Sequence, residues 1–238
     1  MEASSYGPGG VGPGARTGAV GPGGAREADV APAPSVDMTA GRSAGIWEPA
    51  NPAPLGLAGF AATTMLLSLI NGNLISARGI GAVLALAIAY GGIAQLLAGM
   101  WEFRTGNTFG AVAFSSFGAF WISFFVLIRV VPAVLVPAHA LSAYLWIWGG
   151  FTAYMFIASL RTTAAIAMVF ILLTITFFLL AIGDMGSGHA TVTHWGGYLG
   201  IATAAVAFYA SFAQVTNSTF GRVVLPLVPL AARPAARP

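Results

Sequence analysis

The chain has 238 residues, of which 57% are hydrophobic and only 7% are charged, and its mean hydropathy is +0.82. This composition is typical of membrane proteins, because a soluble domain of this size carries far more charge. All basic residues are arginine and they are not clustered, which argues against a nucleic-acid-binding protein. The absence of cysteine excludes disulfides, thiolate catalysis and cysteine-based zinc sites.

Residues 1–43 are rich in glycine, proline and alanine, as in Gly7-Pro8-Gly9-Gly10. Such a segment buries too little apolar surface to offset its chain entropy, so we predict a disordered cytoplasmic tail. It lacks the apolar core of a signal peptide. We predict a transmembrane domain over residues 44–226 and a short cytoplasmic C-terminal tail over residues 227–238.

Six charge-free apolar stretches follow the tail, and each is long enough to cross a bilayer as a helix. They are residues 55–75, 79–101, 108–128, 141–160, 162–182 and 195–215. Backbone polar groups in hydrocarbon must be paired within the segment, so we predict an all-α integral membrane protein with six transmembrane helices. Both termini are predicted to be cytoplasmic, because that orientation leaves only Arg78 and Arg129 on the outer side.

The segment Asn51-Pro52-Ala53-Pro54-Leu55-Gly56-Leu57 begins the first span. Proline suits the first helical turn, and Asn51 is a good N-cap. The segment therefore has a purely structural interpretation as a capped helix start. A functional interpretation is equally open, in which the positive end of the helix faces an anion at the mouth of a pathway.

Hydroxyl and amide groups are the polar groups of the span interiors, which contain no arginine, lysine or histidine. They are found at Thr63, Thr64, Ser68, Asn71, Gln95, Ser115, Ser116, Ser123, Thr174 and Thr176. The spacing of Thr64, Ser68 and Asn71 places them on one helical face, which Phe60 extends by one turn. The hydroxyls either bind a passing carboxyl group or bond to a carbonyl one turn earlier, and both interpretations stay open.

The heptad from Asn51 to Leu57 resembles the hallmark motif of the acetate uptake transporter family, also called the succinate-acetate permease family. Four later stretches resemble that family in the same order. They are Tyr90-Gly91-Gly92-Ile93-Ala94-Gln95 with Ala98-Gly99 and Glu102, Gly106-Asn107-Thr108-Phe109-Gly110, Phe114-Ser115-Ser116-Phe117-Gly118 with Phe120-Trp121, and Phe220-Gly221-Arg222 with Leu225-Pro226. The resemblance runs from Asn51 to about Pro226 and leaves out only the tails.

This resemblance implies a plasma-membrane transporter or channel for acetate, and for succinate in addition, commonly assembled as a hexamer. It implies an apolar constriction formed by Phe60, Phe117 and Leu173. Phe117 stands where bacterial relatives are expected to have tyrosine, so the narrowest point lacks a hydroxyl. We expect acetate to cross it as the neutral acid or together with a proton, without a cofactor or metal. The predicted site residues are Asn51, Pro52, Pro54, Leu55, Gly56, Phe60, Thr63, Thr64, Ser68, Asn71, Gln95, Ser116, Phe117 and Leu173.

Glu102 lies beside Arg104 at the end of the second span. It is either part of a surface ion pair or loop anchor, or a proton relay. His139, His189 and His194 fall in or near outer loops, where histidines are commonly solvated or sense pH, and their spacing matches no metal motif. An enzyme is not expected, because no nucleophile with a base lies in the spans. The alternative function is a membrane sensor or scaffold that responds to organic acids or ammonium.

Overall fold

The computed structural model describes residues 47, 49–186 and 189–231. The predicted N-terminal tail and residues 232–238 lie outside this part of the chain. The described residues form six long helices that are apolar enough to cross a membrane. These are α1 (Ala53–Asn71), α2 (Ala77–Thr105), α3 (Thr108–Arg129), α4 (Ala140–Ser159), α5 (Ala164–Gly183) and α6 (Ala190–Phe220). The predicted six-helix fold of a multi-pass membrane protein is confirmed, while the orientation of its termini stays a prediction.

Two helices do not end where their apolar stretches end in the sequence. α1 stops at Asn71, four residues before the predicted end of the span, because the chain turns at Asn73, whose φ is 58°. α6 continues to Phe220, beyond the apolar stretch, and stops at Gly221, whose φ of 62° gives the left-handed helix cap that glycine favours. Apolar length therefore predicts a span well but predicts its ends poorly.

α2 is not a uniform α-helix. It begins with a 3-10 turn, and a π-helical segment, Ala89–Ala94, interrupts it in the middle. The segment lies where three helices meet closely. A Cβ on Gly59 of α1 would be 2.6 Å from the carbonyl oxygen of Tyr90, and a Cβ on Gly91 would be 2.9 Å from the Trp121 ring of α3. Glycine is required at these contacts because any side chain would force the helices apart.

Aromatic side chains fill the centre of the bundle between α1, α3, α4 and α5. The buried ones are Phe60, Phe114, Phe117, Phe120, Trp121, Phe124, Phe170 and Phe177. Small residues lie where α6 meets the end of α1, and Gly197 of α6 packs directly on the backbone at Gly72. Large rings packed at the centre leave small gaps between them, and these gaps define the candidate site.

The segment after α6 folds back onto the bundle. The Asn217 side chain accepts hydrogen bonds from the backbone N–H groups of Val224 and Leu225, at 2.7 and 2.9 Å. The Leu230 N–H donates to the Thr162 carbonyl at 2.9 Å, just before α5. Residues 227–230, predicted as the beginning of a tail, are therefore held against the start of α5.

Candidate functional site

Three cavities follow one another along the centre of the bundle. The mouth cavity, of about 250 Å³, lies between the ends of α1 and α5 and is lined by Asn71, Asp184 and Thr193 among others. The middle cavity, of about 50 Å³, shares Asn71 with the mouth cavity. The third, named here the Gln95 cavity, has about 40 Å³ and shares Phe60 with the middle cavity. The shared wall residues show that the three cavities adjoin one another in this order, and we call the series the central line.

The middle cavity contains the polar face of α1 that the residue spacing predicts. Phe60, Thr64, Ser68 and Asn71 all line it. The Thr64 hydroxyl is buried and makes no hydrogen bond within the described residues, so it does not bond back along its own helix. Ser68 Oγ packs directly on Gly200 of α6. Thr64 is thus an unpaired hydroxyl beside the central line, available to a ligand.

Phe60, Phe117 and Leu173 separate the middle cavity from the Gln95 cavity. All three line the Gln95 cavity, and Phe60 and Leu173 also line the middle cavity. Each is at most 5% exposed. The ring centroids of Phe60 and Phe117 are 5.7 Å apart, and Phe117 also contacts Phe151 at 5.4 Å and Phe170 at 6.0 Å. The wall is therefore apolar and closed, and rings from α4 and α5 hold Phe117 in position.

The Gln95 cavity is apolar apart from one amide. Gln95 reaches it from α2 and is only 1% exposed, while every other lining side chain is a hydrocarbon or a phenyl ring. The Gln95 side-chain oxygen has no hydrogen-bond partner among the described residues. The open surface of the cavity is apolar, so this oxygen is buried behind the lining side chains. Because an unpaired buried amide is costly, Gln95 is a candidate ligand-binding group that a cargo reaches when the lining side chains move.

Several predicted polar residues offer no free hydroxyl to these cavities, although Thr176 lines the middle cavity. Thr63 donates to the Gly59 carbonyl at 2.9 Å and packs against Gly91. Thr174 and Thr176 likewise donate to carbonyls one turn earlier, at 2.7 and 2.8 Å. Ser116 lines none of the three cavities described above. The three threonine hydroxyls therefore bond back to their own helices, which is the common role of a hydroxyl inside a membrane span.

The first motif builds the start of α1, and its first residues lie away from the central line. The Asn51 side chain accepts from the Ala53 N–H at 3.0 Å and donates to Gln214 of α6 at 3.0 Å. Asn51, Pro54 and Leu55 line a separate groove between α1 and α6. Asn51 is not the N-cap as predicted, since that position is Pro52. From the position before it, the Asn51 side chain still pairs a free N–H of the first turn, so the structural interpretation accounts for Asn51.

Two further residues of the motif serve the same helix start. Pro52 is the N-cap residue and makes no side-chain hydrogen bond there. A Cβ on Gly56 would lie 2.6 Å from the Phe114 ring, so glycine lets α3 approach α1. Gly56 and Leu57 are the members of the motif that face the bundle centre, and Leu57 lines the Gln95 cavity.

Glu102 is buried rather than exposed, at 1%. One carboxylate oxygen accepts from Asn107 at 2.8 Å and from Thr105 at 3.2 Å. Asn107 in turn accepts from the Gly110 N–H at 3.1 Å and caps α3. Glu102 thus anchors the α2–α3 loop, and it forms no ion pair with Arg104. The second carboxylate oxygen has no partner among the described residues.

Two buried polar groups were not among the site residues predicted from the sequence. The Trp121 indole N–H and the Ser115 hydroxyl are both buried without a hydrogen-bond partner in the described part of the chain, and Trp121 lines the middle cavity. Serine in an apolar span gives no signal of whether it is paired. The described residues contain no group of histidine and acidic side chains that could hold a metal.

Known proteins resemble this chain in sequence and in fold. The chain is 44% identical to the succinate-acetate/proton symporter SatP of Escherichia coli over 181 residues, covering 75% of this chain and 95% of that protein. It is 39% identical to acetate permease A of Emericella nidulans over 210 residues, covering 79% and 69%. A solved structure of the bacterial acetate channel SatP matches with a TM-score of 0.69 and 43% identity, covering 75% of this chain and 99% of that one.

The family resemblance predicted from the heptad and the four later stretches is confirmed by these matches. A sequence model of the GPR1/FUN34/yaaH family matches residues 44–232, which include all six helices. The chain belongs to the GPR1/FUN34/yaaH family.

Proposed function

We propose that this protein carries small monocarboxylates, acetate above all, across the plasma membrane through the three central cavities. The observation that carries the proposal is their alignment, with Phe60, Phe117 and Leu173 closing the line between two polar side chains, Thr64 and Gln95. It is supported by the relatives, which are named as a succinate-acetate/proton symporter and an acetate permease, and by the solved structure named as an acetate channel. These relatives are transporters or channels rather than enzymes.

The chemistry of the lining favours the neutral acid at the constriction. Moving a bare carboxylate through an apolar wall costs many kcal/mol unless donors or a cation compensate. The described residues that line the three cavities include no cation, and Asp184 at the mouth repels anions. Thr64 and Ser68 bind the carboxyl group before the wall, and Gln95 binds it after the wall.

Gln95 is well suited to a protonated acid. A primary amide pairs with a carboxylic acid through two hydrogen bonds, because the amide oxygen accepts the acid O–H and the amide N–H donates to the acid carbonyl. A carboxylate offers no donor to the amide oxygen. Acetate is expected to pass faster than succinate, because a dicarboxylate must lose the hydration of two carboxyl groups.

The residues proposed to act on the cargo are Phe60, Thr64, Ser68, Asn71, Gln95, Phe117 and Leu173. Glu102 is proposed as the proton relay of a proton-linked carrier. The proposal includes an orientation with both termini in the cytoplasm and assembly as a hexamer, in which each subunit keeps its own pathway.

Uptake into proteoliposomes tests the proposal. The purified full chain is reconstituted, and uptake of labelled acetate, propionate, lactate and succinate is compared with protein-free vesicles, since acetic acid also crosses bare bilayers. We expect saturable uptake that is fastest for acetate. Acetate uptake equal to that of protein-free vesicles would overturn the proposal. Deletion of residues 1–43 is expected to leave the uptake rate unchanged, whereas a sensor that signals through its tail would lose its response.

A further inference from the structure

Three buried polar atoms without partners lie along the contact between α2 and α3. They are the Gln95 side-chain oxygen, the Ser115 hydroxyl and one Glu102 carboxylate oxygen. Gln95, Gly99 and Glu102 follow one another at spacings of four and three residues, so they share one face of α2. Ser115 of α3 packs its hydroxyl directly on Gly99. We name this line of three polar groups the α2–α3 seam.

Glycines bring the two helices together along the seam. A Cβ on Gly110 would lie 2.7 Å from the Glu102 carboxyl carbon, and Gly99 leaves space for the Ser115 hydroxyl. The rise along α2 is about 6 Å from Gln95 to Gly99 and about 4.5 Å from Gly99 to Glu102. Each interval is about the reach of one long side chain or one water molecule. The three atoms are fully buried, so a water molecule enters the seam only when the two helices move apart.

The unpaired polar atoms are concentrated at the α2–α3 seam, and close packing alone does not explain this. Buried polar groups are nearly always hydrogen-bonded, and each one left unpaired costs about 1–3 kcal/mol. Among the described residues five side-chain atoms are of this kind, and three of them lie on the seam. The other two belong to Thr64 and Trp121, which line the middle cavity. The unpaired groups thus follow the proposed transport route and a branch from it.

We infer that the α2–α3 seam conducts the proton of the cargo between the Gln95 cavity and the end of the bundle at Glu102. This inference rests on the proposed transport of carboxylic acids. The neutral acid crosses the wall at Phe60 and Phe117 and is held by Gln95. The acid O–H then turns from the Gln95 oxygen to a bridging water, which takes this proton and gives one of its own to the Ser115 oxygen. Ser115 in turn releases its original hydroxyl proton toward Glu102.

The proton balance closes without any other reactant. The Glu102 carboxylate receives the proton on its unpaired oxygen and then gives it to water at the Thr105–Asn107 loop. Only O–H bonds form and break, and the cargo leaves the Gln95 cavity as an anion. The reverse sequence protonates an anion that arrives from the Glu102 side. The charged or titratable side chains of α1, α2 and α3 are Arg78, Tyr90, Glu102, Arg104 and Arg129, so Glu102 is their only carboxyl group.

The test uses full-length protein in proteoliposomes and the pH dependence of acetate uptake. Ser115→Ala and Glu102→Gln remove a proton carrier with little change of shape. At pH 7.5 we expect either variant to take up acetate at least about tenfold more slowly, a smaller loss than the roughly 100-fold or more that a general acid or base contributes in catalysis. At pH 6 the deficit shrinks, because above the pKa of the acid the neutral fraction in solution rises about tenfold for each unit by which the pH falls. Fewer cargo molecules then depend on the seam for a proton.

Ser123→Ala is the matched control, since it makes the same change on the same helix at a hydroxyl bonded to Phe120 and Tyr144, outside the seam. It is expected to match the unmodified protein at both pH values. The proposed proton route would be overturned if the variants take up acetate as fast as the unmodified protein at pH 7.5. It would also be overturned if their uptake is equally slow, relative to the unmodified protein, at both pH values. If Ser115→Ala fails to fold, Glu102→Gln decides alone. Absence of acetate uptake by the unmodified protein would instead overturn the proposed function.

Discussion

The rings of Phe60 and Phe117 meet at a centroid distance of 5.7 Å with their planes inclined at 58°. The contact joins α1 to α3 at the point where the middle cavity ends and the Gln95 cavity begins. Phe151 and Phe170 contact the same Phe117 ring from α4 and α5. A cargo that passes must therefore displace at least one ring, so ring size controls which acids pass.

Phe117→Ala is expected to admit larger acids. Removal of the ring opens the wall between the middle cavity and the Gln95 cavity and removes the contact between Phe60 and Phe117. The ratio of propionate to acetate uptake should rise by roughly tenfold, since one methylene in an apolar pocket is worth about 1–3 kcal/mol. Initial uptake rates of the two labelled acids in proteoliposomes measure the ratio.

The control for this prediction is Phe151→Ala, which removes a ring that supports Phe117 from α4 but does not line the Gln95 cavity. It should change the ratio much less. An unchanged ratio in Phe117→Ala would mean that the cargo passes elsewhere.

Thr64→Val is expected to weaken acetate binding without loss of stability. The substitution keeps the shape and removes a hydroxyl that has no partner in the described residues. The KM for acetate should rise about fivefold, which corresponds to one net hydrogen bond of about 1 kcal/mol. Thr63→Val is a matched control one residue away, because the Thr63 hydroxyl already bonds to Gly59. Equal KM changes in the two variants would contradict the assignment of Thr64.

Gly59→Ala is expected to destabilise the protein. A Cβ there would lie 2.6 Å from the Tyr90 carbonyl oxygen, and such overpacking costs about 1–3 kcal/mol. The midpoint of thermal unfolding in detergent should fall by several degrees. Gly150→Ala in α4 provides the comparison, because no atom lies within 4 Å of its added Cβ. The prediction would be wrong if the unfolding midpoint of Gly150→Ala were lower than that of Gly59→Ala.

Asn51 and Gln214 are expected to be coupled in stability. Their side chains share a hydrogen bond of 3.0 Å that ties the start of α1 to α6. In a double-mutant cycle of Asn51→Ala and Gln214→Ala, the coupling should be about 0.6 kcal/mol, the average for interhelical hydrogen bonds in membranes. The KM for acetate should stay constant in all three variants. A raised KM in Asn51→Ala alone would favour the anion-binding interpretation of the helix start.

The helices were predictable because the bilayer imposes their length, and apolar stretches reveal that length directly. Residue spacing also predicted that Thr64, Ser68 and Asn71 share a face, since helix periodicity holds throughout α1. It did not separate Thr63 from Thr64. Adjacent residues point about 100° apart around a helix, and only the positions of the neighbouring helices decide which one reaches the cavity.

Contacts between helices were much less predictable. Glu102 and Arg104 are close in sequence, which suggested a surface ion pair. Residues two apart do not face each other on a helix, and Glu102 instead turns inward to Asn107 and Gly110. Ser115 and Ser116 look equivalent in the sequence, yet only the Ser115 hydroxyl is fully buried without a partner among the described residues. Such distinctions depend on tertiary packing.

The π-helical segment of α2 is equivalent to the insertion of one residue into a regular helix. A π turn advances about 80° per residue and an α turn about 100°, so the six residues Ala89–Ala94 turn the chain about as far as five α-helical residues would. Deleting one of them would therefore restore regular winding while Gln95 and Glu102 still face α3. The change would fall on the close contacts of this segment with Gly59 and Trp121, so the deletion is expected to lower stability at the crossing of the three helices without turning the polar groups beyond it.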